Sequence, residues 1–149
     1  ITSTGGTATS APYGFIMRDN SRVYTTGSGG IVITGTAGTS TGGQRTYGLA
    51  VGFQSSIFTS SGDITLVGNG GTTTSHADGI DFFNNASIIA GGSGRLTAIG
   101  TGGSSTGAHA YGIWLEDSTI MRTTNGVLTL NGIGGNSSLS PSDGIYFQG

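Results

Sequence analysis

Tyr111-Gly112-Ile113-Trp114-Leu115, then Ser118-Thr119-Ile120, then Gly126-Val127-Leu128-Thr129-Leu130-Asn131-Gly132-Ile133-Gly134-Gly135 is the stretch that decides the fold. Its opening, a Gly followed by an apolar residue, recurs at Gly14-Phe15, Gly48-Leu49, Gly79-Ile80, Gly112-Ile113 and Gly144-Ile145, at successive spacings of 34, 31, 33 and 32 residues. Its later part, two alternating apolar residues bracketed by glycines, recurs at Gly29 to Gly35, Gly62 to Gly68, Gly94 to Gly100 and Gly126 to Gly132. A small-residue turn follows each time: Gly5-Gly6, Ala37-Gly38, Gly70-Gly71, Gly102-Gly103 and Gly134-Gly135. Self-similarity at a fixed period of this length is the signature of a stacked repeat.

Side chains alternate across a strand, so period-2 patterns broken by Gly, Asn and Ser predict three short strands per unit. The first strand turns Phe15 and Met17, Leu49 and Val51, Ile80 and Phe82, Ile113 and Leu115, and Ile145 and Phe147 to one face. The middle strand carries one inward residue, assigned to Val23, Ile57, Ile88 and Ile120. The third carries Ile31 and Ile33, Ile64 and Leu66, Leu96 and Ala98, and Leu128 and Leu130, and Ile1 fits the last slot of a preceding third strand. Three strands and their turns close one coil, and coils stack in parallel about 4.8 Å apart. The expectation is an all-β chain folded as a parallel β-helix, a β-solenoid, with about 32 residues per coil and four to five coils. A right-handed winding follows the rule for parallel crossovers. Residues 1–149 form a single segment with coils near 14–47, 48–78, 79–111 and 112–143 and partial coils at 1–13 and 144–149. Roughly five inward apolar residues per coil, at about 1.5–3 kcal/mol each, offset the ordering of the chain only if neighbouring coils share their surface. The segment between each turn and the next Gly-apolar pair, such as Thr72 to Asp78, varies in length and is expected to bulge outward.

Composition narrows the functional classes. The 149 residues include 31 Gly, and only 8 % are charged, against about 25 % in ordinary globular chains. Such a balance suits disorder, but a flexible linker has no need of apolar residues at fixed places. The basic residues Arg18, Arg22, Arg45, Arg95 and Arg122 are scattered and there is no Lys, so no nucleic-acid partner is expected. No apolar run approaches the ~20 residues of a membrane helix. Without Cys there is no disulfide framework and no thiolate metal site.

The order Tyr/Asp-Gly-Ile, Ser-x-Ile, Gly-x-Leu-Thr-Leu-x-Gly-x-Gly-Gly, best matched by Tyr111 through Gly135, resembles the β-helical repeats of large bacterial exoproteins. These are the filamentous-haemagglutinin-like adhesins of the two-partner route and the passengers of autotransporters. The resemblance covers nearly the whole chain and rests on a repeat style. It implies an extracellular or cell-surface location and a non-enzymatic, structural or adhesive role. The sequence opens inside a third strand, at Ile1 rather than Met, and stops after a first strand. We therefore expect uncapped ends, continued by further coils of a longer chain or by identical subunits stacked end to end. A phage or viral fibre segment, which would be trimeric, is a further reading.

Several residues carry candidate chemistry. Trp114 and Tyr146 should be neighbours on one outward rank, where exposed aromatics bind sugar rings or another protein, or else lie under a loop. Asp78 and Asp81 bracket Gly79-Ile80 and suggest a carboxylate pair for polysaccharide cleavage. They also occupy ordinary repeat slots: Asp78 aligns with Tyr13, Tyr47, Tyr111 and Asp143, and Asp81 with Ile16, Ala50, Trp114 and Tyr146. The polysaccharide reading therefore stands second, as a carbohydrate-binding or carbohydrate-cleaving β-helix. His76 and His109 fall one coil apart with Asp78 nearby, a possible ligand set read here as two stacked, solvated imidazoles, so no metal and no cofactor are expected. Gly91-Gly92-Ser93-Gly94-Arg95 has Arg where a calcium-binding nonapeptide has Asp. Asp63 and Arg95 should pair across adjacent coils. Thr2, Thr65, Thr97 and Thr129, with Val32 between, read as an outward rank. Its partner rank of Thr34, Val67, Ile99 and Asn131 is not the second Thr row that ice binding requires. Asn85-Ala86-Ser87 and Asn136-Ser137-Ser138 match the glycosylation sequon.

Overall fold

The computed structural model describes residues 1–116 and 118–149. Every strand among them pairs in parallel with its counterpart one coil away, and none of these residues is helical. The first-strand ladder stacks Phe15–Met17, Leu49–Val51, Ile80–Phe82, Ile113–Leu115 and Ile145–Phe147. The middle ladder stacks Arg22–Thr25, Ser56–Thr59, Ser87–Ala90 and Ile120–Thr123. The third and longest stacks Thr2–Thr4, Ile31–Thr36, Ile64–Asn69, Leu96–Thr101 and Leu128–Ile133. A minor ladder of two-residue strands, among them Thr72–Thr73 and Ser104–Ser105, runs through the connecting loops. The chain is a β-solenoid with three principal strands per coil, as the repeat predicts.

The core is a set of columns. Ile33, Leu49, Ile57, Leu66, Ile80, Phe82, Ile88, Leu96 and Ile113 are all fully buried in one cluster. Like lies on like because coils pair residue for residue: Leu49 on Ile80 on Ile113, and Ile64 on Leu96 on Leu128. In the outermost coil the inward slots open, and Leu128 and Phe147 are exposed.

Two placements differ from the sequence reading. In the middle ladder Ile88 pairs with Met121, so Met121 fills the inward slot and Ile120, 51 % exposed, faces out. Each middle strand starts five residues after the first strand ends, at Arg22, Ser56, Ser87 and Ile120. That fixed interval, not the most apolar residue nearby, sets the phase. Thr2 pairs with Thr34, so it belongs to the rank of Thr34, Val67, Ile99 and Asn131, while Val32, Thr65, Thr97 and Thr129 form the other.

The Ser- and Thr-rich loops do leave the coil, but they are packed structures. The hydroxyls of Thr73, Ser105 and Ser137 donate to the carbonyls of Gln44, Ser75 and Ala108 in the preceding loop. The neck of each loop is pinched by two glycines. A Cβ on Gly68 would lie 2.2 Å from the Gly79 carbonyl oxygen, and one on Gly100 would lie 2.0 Å from that of Gly112. These are the two repeated glycines of the sequence pattern, and backbone contact is what requires them.

Candidate functional site

The outward slots of the first-strand ladder are Ile16, Ala50, Asp81, Trp114 and Tyr146. On the inner coils this face is not open to water, because the loops fold against it. Asp78 and Asp81 are 0 % and 1 % exposed, and Trp114 is 7 % exposed. Trp114 and Tyr146 are neighbours on this rank, and of the two placements the sequence leaves open Trp114 takes the covered one, under aromatic side chains of the loops. Its ring centroid is 4.6 Å from His109, 5.7 Å from His76 and 5.8 Å from Tyr111. Tyr146 remains partly exposed and stacks on Tyr111 at 4.7 Å.

Asp78 stands in the column that carries Tyr47 on one side and Tyr111 on the other. Its Oδ1 accepts the Tyr111 backbone N–H at 2.6 Å and faces His109 Nδ1 at 3.2 Å. Its Oδ2 is buried without a partner. Burial raises the Asp78 pKa, and the His109 contact and the Tyr111 N–H oppose that rise. His76 sits edge-on to His109 at 4.1 Å, and its Nδ1 is also buried and unpartnered. Burial, then His109, then Arg45, depress the His76 pKa to about 4, so at neutral pH its imidazole is uncharged. The two histidines are therefore not a solvated pair.

Asp81 belongs to a second grouping. Its Oδ1 is buried without a partner, and the Tyr47 hydroxyl nearby favours the ionised carboxylate. Arg45 Nη1 in turn donates to the Tyr47 hydroxyl at 3.0 Å. Burial first, then Glu116 and Asp78, hold the Asp81 pKa well above the usual carboxylate range. Asp81 lies at the floor of a cleft of about 320 Å3 walled by Tyr13, Arg18, Arg45, Tyr47 and Glu116. A carboxyl group that favours its protonated form, beside Arg cations and Tyr hydroxyls, can exchange hydrogen bonds with a polyhydroxylated ligand or donate a proton.

The sequence singled out Asp78, Asp81, His76 and His109, and the structure places them on one flank. It missed the roles of Arg45, Tyr47 and Glu116, whose signals were alignment with His76, alignment with Asp78 and the end of a first strand. It also missed an apolar rank on the middle ladder whose two aromatics are exposed. Tyr24, Phe58 and Ile89 follow one another outward on the middle ladder, Tyr24 is 64 % exposed, and the rank lines a groove of about 530 Å3. Asp63 and Arg95 pair as expected, at 3.1 Å on the surface. Comparison of the chain with protein-family models, with curated proteins and with solved structures produced no match.

Proposed function

We propose that this chain is a non-enzymatic structural or adhesive segment of an extracellular fibre, of the kind its repeats resemble in filamentous-haemagglutinin-like and autotransporter-passenger exoproteins. The observation that supports this most is the unbroken register. Three principal ladders run the length of the chain with no inserted domain among the described residues. Such a stack works by length and stiffness, and further coils, from the same chain or from a second copy, extend it without new chemistry. The contact surface that best suits adhesion is the groove along Tyr24, Phe58 and Ile89, since exposed aromatics in a row suit a glycan or a protein partner. Electron microscopy of the native full-length protein tests this reading: rods or filaments are expected, and compact particles would count against it.

A carbohydrate-binding or carbohydrate-cleaving role is the second reading, favoured by the buried Asp81 and its unpaired Oδ1 at the floor of a cleft. A glycan array with wild-type and Asp81→Asn protein, together with a reducing-sugar assay, separates the two. Binding or turnover lost in the variant supports it, and a null result for both removes it.

A further inference from the structure

We propose that two successive loops, residues 70–78 and 102–111, hold one divalent transition-metal ion between His76, Asp78 and His109. One donor atom from each of these three residues lies within 4.8 Å of the other two. Asp78 Oδ1 and His109 Nδ1 are 3.2 Å apart, close to the ~3.3 Å edge of a tetrahedron with metal–ligand bonds of about 2.0–2.1 Å.

Simple pairing of His109 with Asp78 leaves the cluster incomplete. Asp78 Oδ2 and His76 Nδ1 stay buried with no hydrogen-bond partner, and the Asp78 side chain is wholly enclosed. Buried polar atoms are normally satisfied, so two orphaned polar atoms in one cluster, one of them a carboxylate oxygen, leave room for a bound cation as their partner. Two imidazoles and one carboxylate, with no thiolate, select Zn2+, Co2+, Ni2+ or Cu2+ over Ca2+ and Mg2+. Three protein ligands leave a fourth position for water.

The histidines are also held in place. His109 stacks on Tyr111 at 4.0 Å and meets Trp114 edge-on. Arg45 holds the His76 column position one coil earlier and directs its guanidinium to Tyr47. His76 and Asp78 come from one loop and His109 from the next, so the ion would clip adjacent coils together. This role does not depend on whether the chain is adhesive or acts on carbohydrate.

The test uses untagged protein stripped with a chelator. Zn2+ is titrated calorimetrically, and Co2+ is followed by the emission of Trp114, the single tryptophan. One equivalent should bind, Co2+ should quench Trp114, and Zn2+ should raise the thermal midpoint by a few degrees. His76→Ala and His109→Ala should each weaken binding about tenfold or more. Because the chain has only two histidines, imidazole NMR signals of the wild-type protein give a readout independent of any variant. Zn2+ should shift both. No saturable binding below about 100 µM Zn2+, unshifted imidazole signals, or equally tight binding by both variants would overturn the proposal.

Discussion

Gln54 holds a left-handed backbone with φ of 63°, as do Asn20 and Asn85, which occupy the same turn on the neighbouring coils. Asn tolerates that region better than Gln, and on the Gln54 coil Phe53 is left-handed as well, with φ of 51°, so the turn is strained there. Gln54→Asn should raise stability by roughly 0.5–1 kcal/mol, read as a higher denaturant midpoint at unchanged slope. Asp81 bears on pH. Its folded pKa lies above the 3.8 of a free carboxyl, so the folded chain retains a proton that the unfolded chain has released. Its contribution to stability is complete below about pH 4, falls as pH rises through the raised value, and is flat above that. The difference in unfolding free energy between wild type and Asp81→Asn should follow this course, and at neutral pH the variant should be the more stable, by about 1–3 kcal/mol. His76 acts in the opposite sense: with its pKa depressed to about 4, stability present above its ordinary 6.5 is lost as pH falls. Taking the difference between the two proteins isolates Asp81 from that effect. At this scale the sequence was a partial guide. It singled out Asp78 with Asp81, and His76 with His109 and Asp78, as separate sets, and did not foresee that all four gather on one flank. It could not say that Trp114 is covered, because covering depends on how a loop of variable length folds back, and period-2 alternation carries no information on that.

The element is the scale at which the repeat was most legible, for a simple reason. Parallel stacking forces equivalent residues together, so the inward slots repeat in kind and the tight necks repeat as Gly. Gly79→Ala should cost at least about 3 kcal/mol, because its Cβ would fall 2.4 Å from the Thr101 amide nitrogen and 2.6 Å from the Gly112 carbonyl oxygen, backbone atoms that no rotamer change can move. The middle ladder gives a sharper test of register. Ile88→Ala, in a fully buried slot, should cost about 2–5 kcal/mol, whereas Ile120→Ala should stay within about 0.5 kcal/mol. Equal losses at the two sites would return Ile120 to the core. The sequence erred at Ile120 because Ile120 and Met121 are both apolar, and only the constant interval from the first strand tells them apart. It read the loops as an outward bulge because Ser and Thr look solvated, although Thr73 and Ser105 are buried and bonded to the loop before them.

At the scale of the molecule, nearest-neighbour contact is the whole of the design. Each coil touches only the coil on either side, so a loss in one coil is felt by its neighbours and unfolding should spread along the stack. The loops build a flank on which aromatic, acidic and imidazole side chains meet, while the groove of Tyr24 and Phe58 lies along the middle ladder. Everything rests on coils stacked in parallel with matched register. Methyl NMR tests that most directly, through the column of Ile33, Leu66, Ala98 and Leu130 on successive third strands. Cross-peaks joining Ile33 to Leu66, Leu66 to Ala98 and Ala98 to Leu130 are predicted; their absence, or contacts in an antiparallel order, would contradict the account.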